Sequence, residues 1–178
     1  MKNIVYFTRI TDNNFRVPNN ISNFLPTLLL AEDGIGKVLS CNSHKIALKS
    51  HHGKYVVAKS DGSANADSNT RGPWEVFIVE KLGENRIALK SYDGKYLAAE
   101  NAETGKYNVN ANREKRAAWE TFILENHHGG LISLKTAHGR YVVAEKDGRL
   151  LADQRVVDDW EKFLPECVGS TGRYWKER

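Results

Sequence analysis

The residues able to do chemistry in this chain are two cysteines, six histidines, a few carboxylate pairs and a repeated set of cations. Cys41 and Cys167 lie in no local nucleophile motif. A Cys–His nucleophile needs groups that orient one another, so both read as plain thiols. Gly34-Ile35-Gly36-Lys37 has the outline of a phosphate loop. Such a loop requires glycine at position 31 and Ser or Thr after the lysine, where Ala31 and Val38 stand. Asp158-Asp159 reads as a solvated turn before Trp160. His51-His52 and His127-His128 lack the ligand spacing of a metal site. No catalytic residue, metal or cofactor is assigned, and the expectation is a protein without enzymatic activity.

The cations are more regular. Lys49, Lys90 and Lys135 alternate with aliphatic residues and are expected to face outward, and Lys54, Lys95 and Arg140 follow turn glycines. Arg71, Arg116 and Arg155 precede three tryptophans. Such a set could meet an acidic filament surface, anionic lipid or a sulfated glycan. It could equally pair with nearby acids and confer solubility. The chain carries 26 Lys plus Arg against 22 Asp plus Glu, a net charge of +4. The basic residues are spread evenly, which does not suggest a nucleic-acid face. The histidines titrate near ~6.5 when unperturbed, so mild acidification would add positive charge.

These residues sit in a threefold repeat. The copies are Ile46-Ala47-Leu48-Lys49-Ser50-His51-His52-Gly53-Lys54-Tyr55, Ile87-Ala88-Leu89-Lys90-Ser91-Tyr92-Asp93-Gly94-Lys95-Tyr96 and Ile132-Ser133-Leu134-Lys135-Thr136-Ala137-His138-Gly139-Arg140-Tyr141. A second signature closes each copy: Trp74-Glu75-Val76-Phe77, Trp119-Glu120-Thr121-Phe122 and Trp160-Glu161-Lys162-Phe163. The leucine-to-tryptophan offsets are 26, 30 and 26 residues, which puts an insertion around Asn101 to Tyr107. Ile-x-Leu has the alternation of a half-buried strand. The glycines suit turns that need positive φ, and Tyr-Val-Val-Ala resumes a strand. Ala64 and Ala66, Val109 and Ala111, and Leu151 and Ala152 mark a third strand, and Trp-x-x-Phe opens a fourth. Ile46, Leu48, Ile87, Leu89, Ile132, Leu134, Phe77, Phe122 and Phe163 are the expected core, with Trp74, Trp119 and Trp160 packed beside them.

The chain is 178 residues long, 40% hydrophobic and 27% charged, a globular composition for one domain with extensions. The expected class is all-β: a β-trefoil of three four-stranded repeats with an N-terminal extension. Residues 1–44 form the extension packing on the trefoil, 45–166 the trefoil and 167–178 a tail. In the extension, residues 3–10 could form a strand and 17–20 a turn. Pro26 breaks any helix from Ser22 to Leu25, and Phe24, Leu25, Leu28, Leu29 and Leu30 need burial. In the tail, Tyr174-Trp175 could dock. No apolar run is long enough to cross a bilayer, and no signal-like segment opens the chain. A cytoplasmic protein with free thiols is expected.

The run Ile-x-Leu-Lys-Ser/Thr-x-x-Gly-Lys/Arg-Tyr, closed by Trp-Glu-x-Phe, resembles the fascin-like β-trefoils, a superfamily that includes fascins and hisactophilins. Glu125-Asn126-His127-His128-Gly129-Gly130 is similar to a hisactophilin repeat junction. The resemblance implies binding of actin filaments, or another acidic protein surface, through Lys49, Lys54, Lys90, Lys95, Lys135 and Arg140. The alternative is a lectin-like, carbohydrate-binding module. There, Tyr92, Asp93, Tyr107 and Asn108 of the middle copy could form an exposed sugar platform, although the ricin-type Gln-x-Trp signature is absent.

Overall fold

The computed structural model describes residues 33–100 and 107–169. A short helix, α1 (Gly34–Ser40), precedes twelve strands. These are β1 (Lys45–Ser50), β2 (Tyr55–Ala58), β3 (Ala64–Ser68), β4 (Phe77–Lys81), β5 (Arg86–Lys90), β6 (Tyr96–Ala99), β7 (Val109–Arg113), β8 (Phe122–His127), β9 (Leu131–Thr136), β10 (Tyr141–Ala144), β11 (Leu150–Gln154) and β12 (Phe163–Cys167). Single 3-10 turns, Pro73–Glu75 and Asp159–Glu161, precede β4 and β12.

Six strands close into an antiparallel ring. β1 pairs with β12 and β4, β4 with β5, β5 with β8, β8 with β9, and β9 with β12. The hairpins β2–β3, β6–β7 and β10–β11 hang from this barrel through the pairs Lys49–Tyr55, Lys90–Tyr96 and Lys135–Tyr141. Each hairpin shifts register after its tyrosine, as a β-bulge does. Gly53, Gly94 and Gly139 have φ of 74°, 82° and 71°, so these turns do use the left-handed conformation that glycine supplies.

The expected fascin-like β-trefoil of three repeats is corrected here. The described architecture is a closed six-stranded barrel, with six further strands and one helix, in a single twelve-stranded sheet. The sequence copies are not self-contained units. The long ladders join different copies: β1–β12 over five residue pairs, β4–β5 over four and β8–β9 over six. The first and fourth strands of one copy meet over two pairs (β1–β4, β5–β8) or one (β9–β12). A local motif specifies its own turn and face but not which distant strand completes its ladder. The helix α1 also lies outside the repeat pattern and packs on β12, β8 and β9.

The expected aliphatic and aromatic core is buried, and the intervening Ala47, Ala88 and Ser133 are buried with it, so the strands are covered on both faces there. Ile46, Leu48, Phe77, Ile87, Leu89, Phe122, Ile132, Leu134 and Phe163 are all buried, with at most 1% of their surface exposed. Each phenylalanine stands opposite the isoleucine of its own copy: Phe77–Ile46, Phe122–Ile87 and Phe163–Ile132. One expectation is corrected: the tryptophans lie outside the core, with Trp74 and Trp119 half-buried and Trp160 exposed. Leu151 and Ala152 both lie in β11, as expected, and the buried pair of that strand is Leu150 and Ala152. Residues 1–32, 101–106 and 170–178 lie outside the described residues. With them go the expected strand at 3–10, the Ser22 to Leu25 segment, the burial of Phe24, Leu25 and Leu28 to Leu30, most of the insertion and the docking of Tyr174-Trp175.

Gly34-Ile35-Gly36-Lys37 forms α1 rather than a phosphate loop. The Ile35 N–H donates to Asp33 Oδ1 at 3.0 Å and to Asn126 Oδ1 at 2.8 Å, so the helix start is already occupied. Ile35 and Val38 are buried. A Cβ on Gly34 would lie 2.5 Å from the Gly130 carbonyl oxygen and 2.6 Å from the Ile132 Cγ2. Gly34→Ala is therefore expected to destabilise the protein by about 1–3 kcal/mol, read by urea denaturation, because backbone and a core residue must move. Gly36→Ala on the same helix is the comparison and should cost less.

The free-thiol expectation is also corrected. Cys41 and Cys167 form a disulfide, with Cα atoms 5.7 Å apart and a sequence separation of 126 residues. Barrel closure places Cys167 opposite Ile46, and Val168 N–H donates to Lys45 O at 2.8 Å. This proximity exists only once the first and last strands pair.

Candidate functional site

Each Trp-Glu dipeptide builds the same corner. Glu75, Glu120 and Glu161 are buried. Their carboxylates accept from Gly72 N–H at 2.6 Å, Ala117 N–H at 2.7 Å and Asp158 N–H at 2.7 Å. The glutamate locks the turn, and the tryptophan beside it is directed outward against a turn of another copy. Trp160 meets His52 with ring centroids 4.9 Å apart, Trp74 meets Tyr92 at 5.5 Å and Trp119 meets His138 at 5.5 Å.

One corner opens into a cleft of about 440 Å³, lined by Val143, Glu145, Gln154, Val156, Asp158, Asp159, Trp160 and Glu161. That volume falls in the usual small-molecule range of roughly 300–1,000 Å³. Trp160 is 39% exposed and Val156 is 72% exposed. The middle copy shows why the cleft is open. There, Arg113 lies opposite Tyr96, as Gln154 lies opposite Tyr141. The Arg113 guanidinium carbon is 5.8 Å from the Trp119 ring centroid. The same side chain reaches Glu100 at 3.1 Å and Glu120 at 3.8 Å. In the third copy Trp160, Glu145 and Glu161 stand at the matching places, but Gln154 replaces the arginine. The shorter neutral side chain leaves the indole exposed and Glu145 without an ion-pair partner among the described residues, while Glu161 stays buried.

The cleft is acidic. Its lining holds Glu145, Asp158, Asp159 and Glu161 and no lysine or arginine. Glu161 is committed to its cap. Asp159 accepts from Lys162 Nζ at 3.0 Å, and that hydrogen bond and charge, helped by His51, hold its carboxyl below the usual range. Glu145 and Asp158 have no ion-pair partner among the described residues. A smaller cavity of about 150 Å³ lies where the three hairpins meet, lined by Ser63, Asn65, Asn108, Asn110 and Arg149 among others.

The repeated cations form three local clusters. The ammonium groups of Lys49, Lys90 and Lys135 lie 5.3, 5.0 and 5.2 Å from the ring centroids of Tyr55, Tyr96 and Tyr141. Those phenols donate to Glu166 at 3.2 Å, Glu80 at 2.6 Å and Glu125 at 2.9 Å. Arg71 pairs with Glu166 at 2.9 Å, Arg116 with Glu80 at 3.5 Å and Lys135 with Glu125 at 3.5 Å. Lys54 donates to Asn69, and Lys95 pairs with Glu114 at 2.8 Å. Arg140 donates to the Asp153 carbonyl at 3.2 Å. Burial, then the charge of Lys162, pushes the His127 pKa down.

The four sugar-platform candidates fall into two places. Tyr92, 66% exposed, stands against Trp74, and Asp93 accepts from Ser91 Oγ at 2.6 Å. Tyr107 lies 5.8 Å from the Arg140 guanidinium, and Asn108 borders the smaller cavity. Trp160, Asp158, Glu145 and Gln154 were not singled out for binding from the sequence. The available signal was a departure from the repeat: Asp158-Asp159 stands where the other copies have Gly72-Pro73 and Ala117-Ala118.

Residues 41–165 match the family model described as a domain of unknown function, DUF7910, and the chain belongs to that family. This match replaces the fascin-like assignment suggested by the repeat motif. No curated protein matches the chain. Among the described residues no helix is long and apolar enough to cross a membrane.

Proposed function

We propose that this chain is a non-enzymatic binding module whose ligand is a carbohydrate, held in the cleft beside Trp160. The observation that carries this reading is the uncovered indole flanked by Gln154, Asp158 and Glu145. An aromatic face packs against the C–H face of a sugar, and carboxylate and amide groups orient hydroxyls. The Cys41–Cys167 disulfide adds support. Such bonds persist in oxidising compartments, which favours a location outside the expected cytoplasm and away from actin filaments. The cations expected to meet an acidic filament are each in contact with a tyrosine, an acid, an amide or a carbonyl of the chain itself, on three separate strand pairs.

The test is calorimetric titration with a set of neutral and charged oligosaccharides. Trp160→Ala is expected to weaken binding by roughly 2 kcal/mol, near thirtyfold, with an unchanged melting curve because the ring lies outside the core. Tyr92→Ala should leave affinity intact. If no oligosaccharide binds, and the protein instead pellets with filamentous actin in a salt-sensitive way lost on Lys90→Glu with Lys95→Glu, the carbohydrate reading is wrong.

A further inference from the structure

The middle copy shows what the open cleft is shaped to receive. Arg113 places a cation over Trp119 and beside Glu100 and Glu120. The third copy keeps the indole and both carboxylates as Trp160, Glu145 and Glu161, removes the cation, and adds Asp158 and Asp159. The added acids are not needed to form the turn. Gly72 and Ala117 occupy the position of Asp158, and their N–H groups are accepted by Glu75 and Glu120 in the same way. A site with the partners of a cation and no cation of its own is complementary to a positively charged group from outside. A carboxylate face and an indole face both favour such a group.

Resting on the carbohydrate reading above, we propose that the cleft of the third copy binds an amino sugar through its protonated amine, which takes the place of the Arg113 guanidinium. The ammonium sits over Trp160 between Glu145 and Asp158, and Gln154 is left to hydrogen-bond a hydroxyl. Uronic acids and sulfated sugars are excluded, since they would bring negative charge against four carboxylates. Two cations near the cleft are held locally, whereas Lys146 and Arg155, the chain neighbours of Glu145 and Gln154, have no ion-pair partner among the described residues. Lys162 is held by Asp159 at 3.0 Å, and Arg149 by Asp147 at 2.7 Å. His51 and His52 stack on each other, His52 packs against Trp160 with ring centroids 4.9 Å apart, and His51 acts on Asp159. The chain as a whole is basic, so the local sign runs against the net charge.

The probes are a β-1,4-linked glucosamine hexamer, its fully N-acetylated counterpart and polylysine, titrated into the full chain in a buffer that keeps the amine protonated. The free amine is expected to bind about tenfold tighter than the acetylated hexamer, and the advantage should shrink with added salt. Glu145→Gln with Asp158→Asn should bring the two hexamers within about twofold by weakening only the amine form. Gln154→Arg should fill the cleft as Arg113 does and weaken both hexamers at least tenfold. That variant is expected to fold, because the same side chain is accommodated in the middle copy. Equal binding of both hexamers overturns the amine assignment while the carbohydrate reading stands. Binding of neither hexamer overturns the amine assignment, and the carbohydrate reading then stands or falls with the wider oligosaccharide set. Polylysine binding as tightly per charge as the glucosamine hexamer shows a general cation surface and overturns the sugar assignment.

Discussion

Reducing the Cys41–Cys167 bond, or replacing both residues by serine, should remove about 2–5 kcal/mol of stability. The bond closes a loop of 126 residues. In the chain-entropy view, a loop of roughly that length confines the unfolded chain by about 4–5 kcal/mol. The bond also ties β12, the strand that closes the barrel, to the segment carrying α1 and β1. At roughly 2–4 °C per kcal/mol for a protein of this size, the melting temperature should fall by about 5–15 °C in reductant. The check is thermal and urea denaturation with and without reductant, alongside thiol titration of the native protein. Two titratable thiols and a reductant-independent midpoint would show that the bond is not part of the native state.

Phe122→Ala is expected to cost about 3–5 kcal/mol, a large fraction of the roughly 5–15 kcal/mol that holds an ordinary domain together. The ring has no exposed surface and stands across the barrel wall from Ile87. Removing it leaves a void in a barrel whose ladders cannot collapse without breaking register. Ile123→Ala is the internal control, because the neighbouring side chain points outward and is 40% exposed. Its cost should stay within about 1 kcal/mol. Phe77→Ala and Phe163→Ala should behave like Phe122→Ala, since each ring faces the isoleucine of its own copy. Equal urea midpoints for Phe122→Ala and Ile123→Ala would invalidate the inward assignment of these strands.

What the residues determine by themselves is local. The alternation in Ile-x-Leu-Lys marks Ile46, Leu48, Ile87, Leu89, Ile132 and Leu134 as core, because side chains alternate faces along a strand, but it does not reveal that Ala47, Ala88 and Ser133 are buried on the other face. The turn glycines are legible because few other residues tolerate positive φ, and Gly53, Gly94 and Gly139 all adopt it. The three copies therefore align on these motifs from the sequence alone, apart from the insertion in the middle copy. The third strand of the last copy is placed where Leu151 and Ala152 mark it, but which of its residues turn inward, Leu150 and Ala152, depends on where the preceding turn releases the strand.

Tertiary structure decided the rest, and each case turns on contact between distant parts of the chain. The ladders that close the barrel join different copies, and nothing within a copy names its partner. The disulfide needs that closure, so two cysteines far apart in sequence carried no sign of it. The tryptophans read as core residues by type, yet the Glu75, Glu120 and Glu161 caps turn them outward. The cleft itself depends on a substitution in the strand that precedes its tryptophan. Gln154 stands in β11 where Arg113 stands in β7, and only their common register opposite Tyr141 and Tyr96 shows that one corner is filled and the other open. Alternation and turn chemistry act over a few residues, whereas the charge and shape of a cleft are sums over side chains that the fold alone brings together.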